Sequence, residues 1–218
     1  MFIAIVPAFN EEKRITEVIS NLLTVVNEVV VVDDCSSDLT AEKAVSAGAT
    51  VLRHKINLGQ GAALETGHEY ARKKRADFVL HFDGDGQFCP EDILPALKHL
   101  KEKNLDILLG SRFLDTRTNI PFVKKYFLFP VSKIIDKFFT GLKLSDVHNG
   151  FRILNKTALE KIRIRQNKMA HATEIVGQIK IHKLNYGEFP IKVIYYETGQ
   201  GFFGGLKIIK DLFLSKFY

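Results

Sequence analysis

The amino-acid sequence predicts an α/β fold with a mostly parallel central sheet and helices on both faces. In the first half of the chain, short apolar runs alternate with longer segments whose apolar residues recur every three or four positions. Strands that alternate with helices of this length are typical of right-handed βαβ units, whose sheet is covered on both faces. The 218 residues, 46% of them hydrophobic, suffice for one large or two small domains and exclude a disordered chain.

Five strands and four helices account for the chain up to residue 111. The opening apolar run ends at Pro7 and predicts a buried strand rather than a half-exposed one. A stripe of helical period runs from Ile15 to Val26, and Pro90 suits the first position of a later helix. The predicted strands span residues 2–7, 28–34, 50–54, 77–83 and 106–111, and the predicted helices span 11–26, 39–47, 58–75 and a segment from 90 onward.

Beyond residue 112 the alternation becomes irregular, but no Pro-, Gly- or Ser-rich linker separates a second domain. A single domain over residues 1–200 is therefore predicted, with 1–112 as its regular half and 113–200 as the remainder. Residues 201–218 are predicted to form an amphipathic C-terminal helix. The other elements predicted in the second half are strands at 150–155 and 188–197 and short helices at 156–162 and 172–184.

Charge is unevenly distributed along the chain. The net charge is +6, yet residues 1–110 hold 12 basic against 17 acidic side chains, and residues 111–218 hold 19 against 8. The basic half also contains 12 of the 17 phenylalanines, a mixture that favours an anionic membrane surface or a nucleic acid. No helix-turn-helix, OB-fold or RNP signature accompanies the charge, so a nucleic-acid partner is not predicted.

The cysteines and the hydropathy pattern favour a cytoplasmic protein. Cys35 and Cys89 lack the spacing of a metal site and are too few for a disulfide framework, which indicates a reducing compartment. No apolar run approaches the ~20 residues of a membrane-spanning helix, and charged residues interrupt any signal sequence at 1–20. A secreted or integral membrane protein is therefore not predicted.

The most specific local motif is DGDGQ at residues 83–87. Its carboxylates, Asp83 and Asp85, are separated by one glycine on a turn after a buried strand, where ligands of α/β proteins bind. Such a turn suits Mg²⁺ or Mn²⁺, which take few carboxylates together with water and phosphate oxygens. A calcium-binding EF-hand is excluded, because Phe88 and Leu94 occupy its required glycine and glutamate positions.

A second motif, NLGQGAAL at residues 57–64, places two glycines where a loop leads into a helix. Backbone N–H groups at such a point can approach a phosphate, but glycines also serve tight turns, and both interpretations stay open. The motif lacks the Gly-Lys-Ser/Thr ending of a P-loop, and it does not follow the first strand as a dinucleotide-binding fingerprint should.

Six motifs stand in a distinctive order along the chain: PAFNEE (7–12), DDCSSDLT (33–40), NLGQGAAL (57–64), DGDGQF-Pro (83–90), GSRF (110–113) and HNGFRI (148–153). Over about residues 1–160 the sequence thereby resembles glycosyltransferase family 2, and within it the dolichol-phosphate mannosyltransferase-like branch of polyprenyl-phosphate sugar transferases. The resemblance implies a single GT-A type nucleotide-binding domain and a metal-dependent, inverting transfer from a nucleotide-diphosphate-sugar. It makes 1–112 the nucleotide-sugar-binding half and 113–200 the acceptor-side half.

The resemblance also implies roles for individual residues. Eight positions match those that bind the nucleotide-sugar: Pro7, Ala8, Asn10, Glu11, Asp33, Asp34, Gly59 and Asp83. Mg²⁺ or Mn²⁺ is expected at Asp83, Asp85 and Gln87, and the expected catalytic residues are Asp85, Arg112 and Arg152. Arginine suits phosphate because its planar fork donates two hydrogen bonds. On the acceptor side the matching positions are Asn149, His171 and Glu174.

A polyprenyl phosphate is the acceptor that the resemblance implies, and as an anion it needs no general base. Two alternatives stay open. Transfer to a hydroxyl of a cell-surface glycan would need a carboxylate base, for which Glu174, alone or with His171, is the candidate. The other alternative is a non-catalytic subunit that binds a sugar nucleotide.

Two segments, residues 121–141 and 204–218, mix aromatic and lysine side chains. Both are predicted to lie in a membrane interface with snorkelling lysines, which makes the protein peripheral at the cytoplasmic, inner face of the membrane. Many members of the branch continue into transmembrane helices, whereas this sequence stops at Tyr218, so a peripheral mode or a membrane partner protein is expected. The same segments could instead pack on the protein's own core or in a homo-oligomer.

Overall fold

The structure, a computed structural model, describes residues 1–118 and 142–195. Within these ranges the strands are β1 (Phe2–Ala8), β2 (Glu28–Asp33), β3 (Thr50–Arg53), β4 (Phe78–His81), β5 (Ile107–Ser111), β6 (Arg152–Asn155) and β7 (Tyr186–Pro190). The α-helices are α1 (Ile15–Leu23), α2 (Thr40–Ser46), α3 (Gln60–Lys73), α4 (Ile93–Glu102), α5 (Lys156–Lys161) and α6 (His171–Ile181). A 3₁₀ turn over Pro90–Asp92 leads into α4.

These strands form one sheet in the order β3-β2-β1-β4-β6-β5-β7. β1 pairs in parallel with β2 and β4, β2 with β3, and β5 with β7, as helical crossover connections require. β6 runs antiparallel to both of its neighbours, β4 and β5. The prediction of a mostly parallel α/β sheet with helices on both faces is confirmed.

The reversed direction of β6 decides which loops meet at one edge of the sheet. His81, the last residue of β4, and Leu109, near the end of β5, both pair with Arg152, the first residue of β6. The loop that precedes β6 therefore lies at the same edge as the carboxyl ends of β1, β2, β4 and β5. This arrangement brings residues 148–150 beside the acidic turn that follows β4.

Side chains of the central strands alternate between two hydrophobic layers. In β1, Phe2, Ala4 and Val6 pack into one layer, to which α1 and α4 contribute, whereas Ile3 and Ile5 pack into the other with α3, α5 and α6. Both layers bury their strand residues almost completely. The continuous apolar runs of the sequence follow from this, because each central strand is covered on both faces.

Predicted and observed elements differ mainly at their ends. The first helix begins at Ile15 rather than at residue 11, because the preceding residues form a turn in which Arg14 donates to the carbonyl of Glu11. The last predicted strand, 188–197, is observed as β7, which ends at Pro190. The predicted amphipathic segments at 121–141 and 201–218 lie outside the described residues, and the domain boundaries stay a prediction. Over the two described ranges, no helix is both long and apolar enough to cross a bilayer.

Candidate functional site

A cavity of about 740 Å³ opens at the edge of the sheet where β1, β2 and β4 end and β6 begins. Its lining combines residues from the ends of β1, β2, β4 and β5 with the loop before β6, so the fold brings together parts of the chain that are far apart in sequence. Nine residues that sequence analysis singled out line this cavity: Pro7, Ala8, Glu11, Asp34, Asp83, Asp85, Gln87, Arg112 and Asn149.

The acidic turn after β4 presents two carboxylates to the cavity. Gln60 Nε2 donates a hydrogen bond of 2.9 Å to Asp83 Oδ1, and Asp85 Oδ1 accepts one of 3.0 Å from the backbone N–H of Gln87. Gly86 supplies the left-handed backbone conformation of the turn, at φ +71°. Each carboxylate is thus oriented by a neutral amide.

Burial and mutual repulsion raise the pKa of the acidic groups at this edge. Burial, and after it the negative charge of Asp85, raise the pKa of Asp83 to about 7. Burial raises the pKa of Asp85, and burial together with the charge of Asp85 raises the pKa of Glu11. A divalent cation would relieve this repulsion.

The donor set at the turn fits Mg²⁺ or Mn²⁺, because both ions prefer carboxylate oxygens and accept water and phosphate oxygens as further ligands. Among the described residues, no group of three or more His, Cys, Asp or Glu side chains is arranged to hold a metal. Asp83 and Asp85 would therefore bind such an ion only together with ligands from a nucleotide or from water.

We expect Mn²⁺ affinity to fall as the pH drops below about 7. The pKa of Asp83 is raised to about 7, so a proton competes with the metal, and apparent affinity should fall about tenfold for each further pH unit. Titration calorimetry with Mn²⁺ and UDP at a series of pH values measures this slope. An affinity that stays constant between about pH 5 and about pH 8 would contradict the role of Asp83.

The same pKa shift acts on the stability of the metal-free protein. Folded Asp83 holds its proton more tightly than the unfolded chain, whose pKa is near 3.8, so its contribution to stability is present at low pH and is lost as pH rises through about 7. The free energy of unfolding should therefore fall less between about pH 4 and about pH 7 in Asp83→Asn than in the wild type. Urea unfolding in the presence of EDTA measures this difference.

Arg112, directly after β5, is held by a buried carboxylate. Its Nε and Nη2 atoms each donate a hydrogen bond of 2.7 Å to Asp146, and Nη1 donates one of 3.1 Å to the hydroxyl of Tyr195. Asp146 is 5% exposed. Burial would raise the pKa of Asp146, but the charge and hydrogen bonds of Arg112 hold it below its ordinary value. The bidentate pair fixes a guanidinium in the cavity wall.

Arg152 lies behind the cavity rather than in its described lining. It is fully buried, Nη2 donates a hydrogen bond of 3.2 Å to the carbonyl of Val147, and Nε and Nη1 have no hydrogen-bond partner among the described residues. Burial lowers the pKa of Arg152 to about 10, while the charges of Asp83 and Asp146 favour its protonated form. The structure thus places Arg152 beneath the acidic turn, at the first residue of the antiparallel strand β6, and the expected contact of its guanidinium with a phosphate stays a prediction.

Asp34 ties the start of α3 to the end of β2. Its Oδ1 atom accepts a hydrogen bond of 2.8 Å from the backbone N–H of Leu58, and Oδ2 accepts one of 2.7 Å from that of Gly59. His54 Nδ1 lies 2.7 Å from Oδ1. The carboxylate therefore anchors the loop that carries Gln60, in addition to lining the cavity.

The glycine-rich motif at the start of α3 packs closely against another part of the chain. The backbone N–H groups of Gly61 and Ala62 donate to the carbonyl of Asn167 at 2.8 and 3.2 Å. A Cβ atom at Gly59 would lie 2.5 Å from the same oxygen, and φ at Gly59 is +103°. Of the two interpretations left open by the sequence, the structure favours close backbone packing over phosphate binding, since these N–H groups already have acceptors.

Asn10 and Asp33 brace the loop after β2 and are not part of the described cavity lining. Asn10 Oδ1 accepts a hydrogen bond of 2.9 Å from the backbone N–H of Ser37. Asp33 is fully buried and forms an ion pair with Arg53, whose Nε lies 3.0 Å from Oδ2. Both side chains fix the backbone that carries Asp34.

The three residues predicted on the acceptor side occupy different environments. Asn149 lines the cavity, and its Nδ2 atom donates a hydrogen bond of 3.3 Å to Asp146. Burial lowers the pKa of His171 to about 4, so this side chain is neutral at physiological pH. Glu174 accepts hydrogen bonds of 2.9–3.1 Å from the backbone N–H groups of residues 165 and 166, and it is not part of the described cavity lining.

Sequence reasoning missed four residues that complete this site: Gln60, Asp146, Gly150 and Tyr195. Gln60 and Gly150 lie inside the motifs NLGQGAAL and HNGFRI. Asp146 lies two residues before HNGFRI, and an acidic residue so close to a loop motif could have been predicted as part of the site. Tyr195 follows the last strand, where the sequence carries no comparable motif.

Comparisons with known proteins agree with this geometry. The sequence model of glycosyl transferase family 2 matches residues 3–163. Protein MJ1222 of Methanocaldococcus jannaschii is 34% identical over 98% of this chain and 91% of its own length. The UDP-N-acetylglucosamine–dolichyl-phosphate N-acetylglucosaminyltransferase of Methanococcus voltae is 30% identical over 97% of this chain and 94% of its own.

A solved structure shares the fold over almost the whole chain. Glucosyl-3-phosphoglycerate synthase from Mycobacterium tuberculosis, in complex with Mn²⁺, UDP and glucosyl-3-phosphoglycerate, superposes with a TM-score of 0.73 at 15% sequence identity. The match covers 98% of this chain and 79% of that one. The family model matches most of the chain, the relatives are similar over nearly their whole length, and the fold is that of GT-A glycosyltransferases. The chain therefore belongs to glycosyltransferase family 2 and is a glycosyltransferase.

Proposed function

We propose that the protein transfers a sugar from a nucleotide-diphosphate-sugar to a polyprenyl phosphate of dolichyl type, with Mg²⁺ or Mn²⁺ as cofactor and inversion at the anomeric carbon. The observation that carries this proposal is a single cavity lined by Asp83, Asp85 and Arg112. Carboxylates for a cation and a guanidinium for an anion together suit a diphosphate, whose negative charge grows as it leaves the sugar. The Methanococcus voltae relative supports the acceptor, and the complex of the Mycobacterium tuberculosis synthase supports the metal and the nucleotide.

The donor would bind in the part of the cavity formed by the loops after β1 and β2. In this proposal the base and ribose lie against the backbone of Pro7 and Ala8 and the carboxylates of Glu11 and Asp34, all of which line the cavity. The hydrogen-bonded loop after β2 keeps these groups in place before the donor arrives. Asn10, Asp33 and Gly59 support that loop and the start of α3 rather than the nucleotide itself.

The diphosphate would lie between the acidic turn and the guanidinium. Asp83 and Asp85, with Gln87 at the same turn, would hold the metal, which when bound supplies a Lewis acid for the leaving group. Arg112, oriented by its buried carboxylate partner, donates hydrogen bonds to phosphate oxygens. Arg152 favours the ionised form of Asp83 from behind the cavity.

The environment of Glu174 favours a phosphate acceptor over a glycan hydroxyl. The carboxylate is taken up by hydrogen bonds from the backbone N–H groups of residues 165 and 166, and Glu174 is not part of the described cavity lining, so it is not placed to accept a proton from a hydroxyl in the cavity. A lipid phosphate is an anion at neutral pH and attacks the anomeric carbon without a base. The presence of Asp83, Asp85 and Arg112 in one cavity also supports a transferase over a non-catalytic binding subunit.

Because the acceptor is a membrane lipid in this proposal, we place the protein at the cytoplasmic face of the membrane as a peripheral protein. The support is the charge of residues 111–218, which hold 19 basic against 8 acidic side chains. Each basic side chain near an anionic surface contributes about 1 kcal/mol to binding. A membrane partner protein or a homo-oligomer would be an equally suitable setting for the aromatic segments.

A thermal-shift panel of nucleotide-sugars, with and without Mn²⁺, tests the donor site. UDP-N-acetylglucosamine comes first in the panel because of the Methanococcus voltae relative. With the metal present, a donor at about 100 times its dissociation constant should stabilise the protein by ~2.7 kcal/mol, and without the metal the same donor concentration should stabilise it less. Radiolabelled sugar recovered with dolichyl phosphate in the organic phase then tests the acceptor. The absence of metal-linked stabilisation by every donor would contradict the proposal.

A further inference from the structure

Gln60 lies next to the acidic turn, and the backbone on both sides of it is hydrogen-bonded. It is the first residue of α3, and its Nε2 atom donates the hydrogen bond of 2.9 Å to Asp83 Oδ1. The backbone on either side is anchored, because the N–H of Gly59 donates to Asp34 and the N–H of Gly61 donates to the carbonyl of Asn167. The amide of Gln60 is therefore presented to Asp83 from a part of the chain that is held on both sides.

Gly150 restricts the orientation of the Asp83 carboxylate on the side of its other oxygen, Oδ2. A Cβ atom at position 150 would lie 3.0 Å from Cγ of Asp83 and closer still to Oδ2, nearer than side chains normally approach. The carboxylate of Asp83 thus rests against the backbone of the loop before β6. With Gln60 on Oδ1 and Gly150 against Oδ2, the carboxylate group is confined on both of its oxygens.

We propose that Gln60 is a positioning residue, which together with the bare backbone at Gly150 fixes the Asp83 carboxylate in the orientation that the divalent cation and the nucleoside diphosphate require. This inference rests on the proposed function, and it adds a residue that acts through Asp83 rather than on the substrate. Side chains that orient a metal ligand typically change metal affinity 10–100-fold when they are removed. A ligand left to rotate must be ordered again each time the metal binds, which lowers the affinity for the metal.

Gln60→Met tests the proposal, because methionine has similar length and no amide. We expect Mn²⁺ affinity in the presence of UDP to fall at least about tenfold, while UDP affinity in EDTA stays within about twofold of the wild type. Gly150→Ala should give the same split by displacing the carboxylate from the opposite side. Glu69→Gln, on an exposed position of the same helix, is the matched control and should leave both affinities unchanged.

The outcomes separate this inference from the proposed function. If wild-type protein binds Mn²⁺ and UDP cooperatively and Gln60→Met does so equally well, the positioning role is overturned and the proposed function stands. A parallel loss of metal-dependent and metal-free UDP binding in Gln60→Met would likewise overturn it, since that pattern indicates a general structural defect. If the wild type shows no Mn²⁺-linked UDP binding at all, the proposed function fails first.

Discussion

Asp85→Asn is expected to lower the rate of sugar transfer about 100-fold to 1,000-fold while the protein remains folded. Asp85 lines the cavity on the turn after β4, and asparagine removes the charge without changing the shape of the side chain. Loss of one electrostatic group that acts on the developing charge of a leaving group costs about this much in rate. The measurement is the turnover of radiolabelled nucleotide-sugar with dolichyl phosphate in the presence of Mn²⁺.

Stability should change in the opposite direction from activity. Burial raises the pKa of Asp85, and the negative charge of Asp85 in turn raises the pKa of Asp83 and Glu11. Removing that charge relieves the repulsion, so the metal-free variant should melt at the same temperature as the wild type or above it. Glu91→Gln, at an exposed position nearby in the chain, removes one negative charge as a control and should leave turnover intact. Full activity in Asp85→Asn would rule out its proposed part in metal binding.

The first half of the fold could be predicted from sequence because its signals are local. The apolar runs of β1, β2, β4 and β5 are buried on both faces, and each is followed by a polar cluster that the sheet topology brings to one edge. Asp83 and Asp85, which follow β4, lie at this edge as the rule predicts, and Asp34 and Arg112, which follow β2 and β5, lie there as well. The rule works because residues at the carboxyl ends of parallel strands share an edge whatever their distance along the chain.

The buried position of Arg152 could not be predicted because it depends on strand direction. A four-residue strand has the same apolar pattern whether it runs parallel or antiparallel to its neighbours. Since β6 is antiparallel, its first residue pairs with His81 and Leu109 inside the sheet, and the guanidinium lies behind the cavity. The same reversal brings Asn149 and Gly150, which precede the strand, into the cavity wall.

Long-range hydrogen bonds account for the other differences. The glycines at the start of α3 are compatible in sequence with a phosphate site, but the N–H of Gly59 donates to Asp34, and the N–H of Gly61 donates to the carbonyl of Asn167, more than a hundred residues away. Glu174 has the residue type of a general base, yet its carboxylate binds backbone N–H groups of the loop that precedes its helix. Residue type alone does not reveal such partners, since many distant backbone groups could satisfy the same side chain.

The second large effect is expected at Arg112, where one substitution should affect both stability and catalysis. Arg112→Ala leaves the carboxylate of Asp146, which is 5% exposed, without its bidentate partner. Removing one member of a buried ion pair typically destabilises a protein by about 3–5 kcal/mol. Urea unfolding at neutral pH measures this loss, and turnover should fall because the cavity loses the cation that we propose to face the diphosphate.

A double variant separates the two contributions. Arg112→Ala combined with Asp146→Ala removes both charges, so no unpaired carboxylate stays buried, and the free energy of unfolding should recover a large part of the loss. Turnover should not recover, because the guanidinium proposed to bind the phosphate is still missing. Stability and activity should therefore respond differently to the second substitution.

The comparison tests whether Arg112 acts on the substrate or only holds the loops together. If Arg112 were purely structural, activity would return with stability in the double variant, and Arg112→Ala would lose turnover only to the extent that it unfolds. Assays at a temperature where both variants remain folded make this distinction direct. Binding of UDP in the presence of Mn²⁺ gives an independent measure, since a guanidinium that donates to the diphosphate should affect nucleotide affinity even where no sugar is transferred.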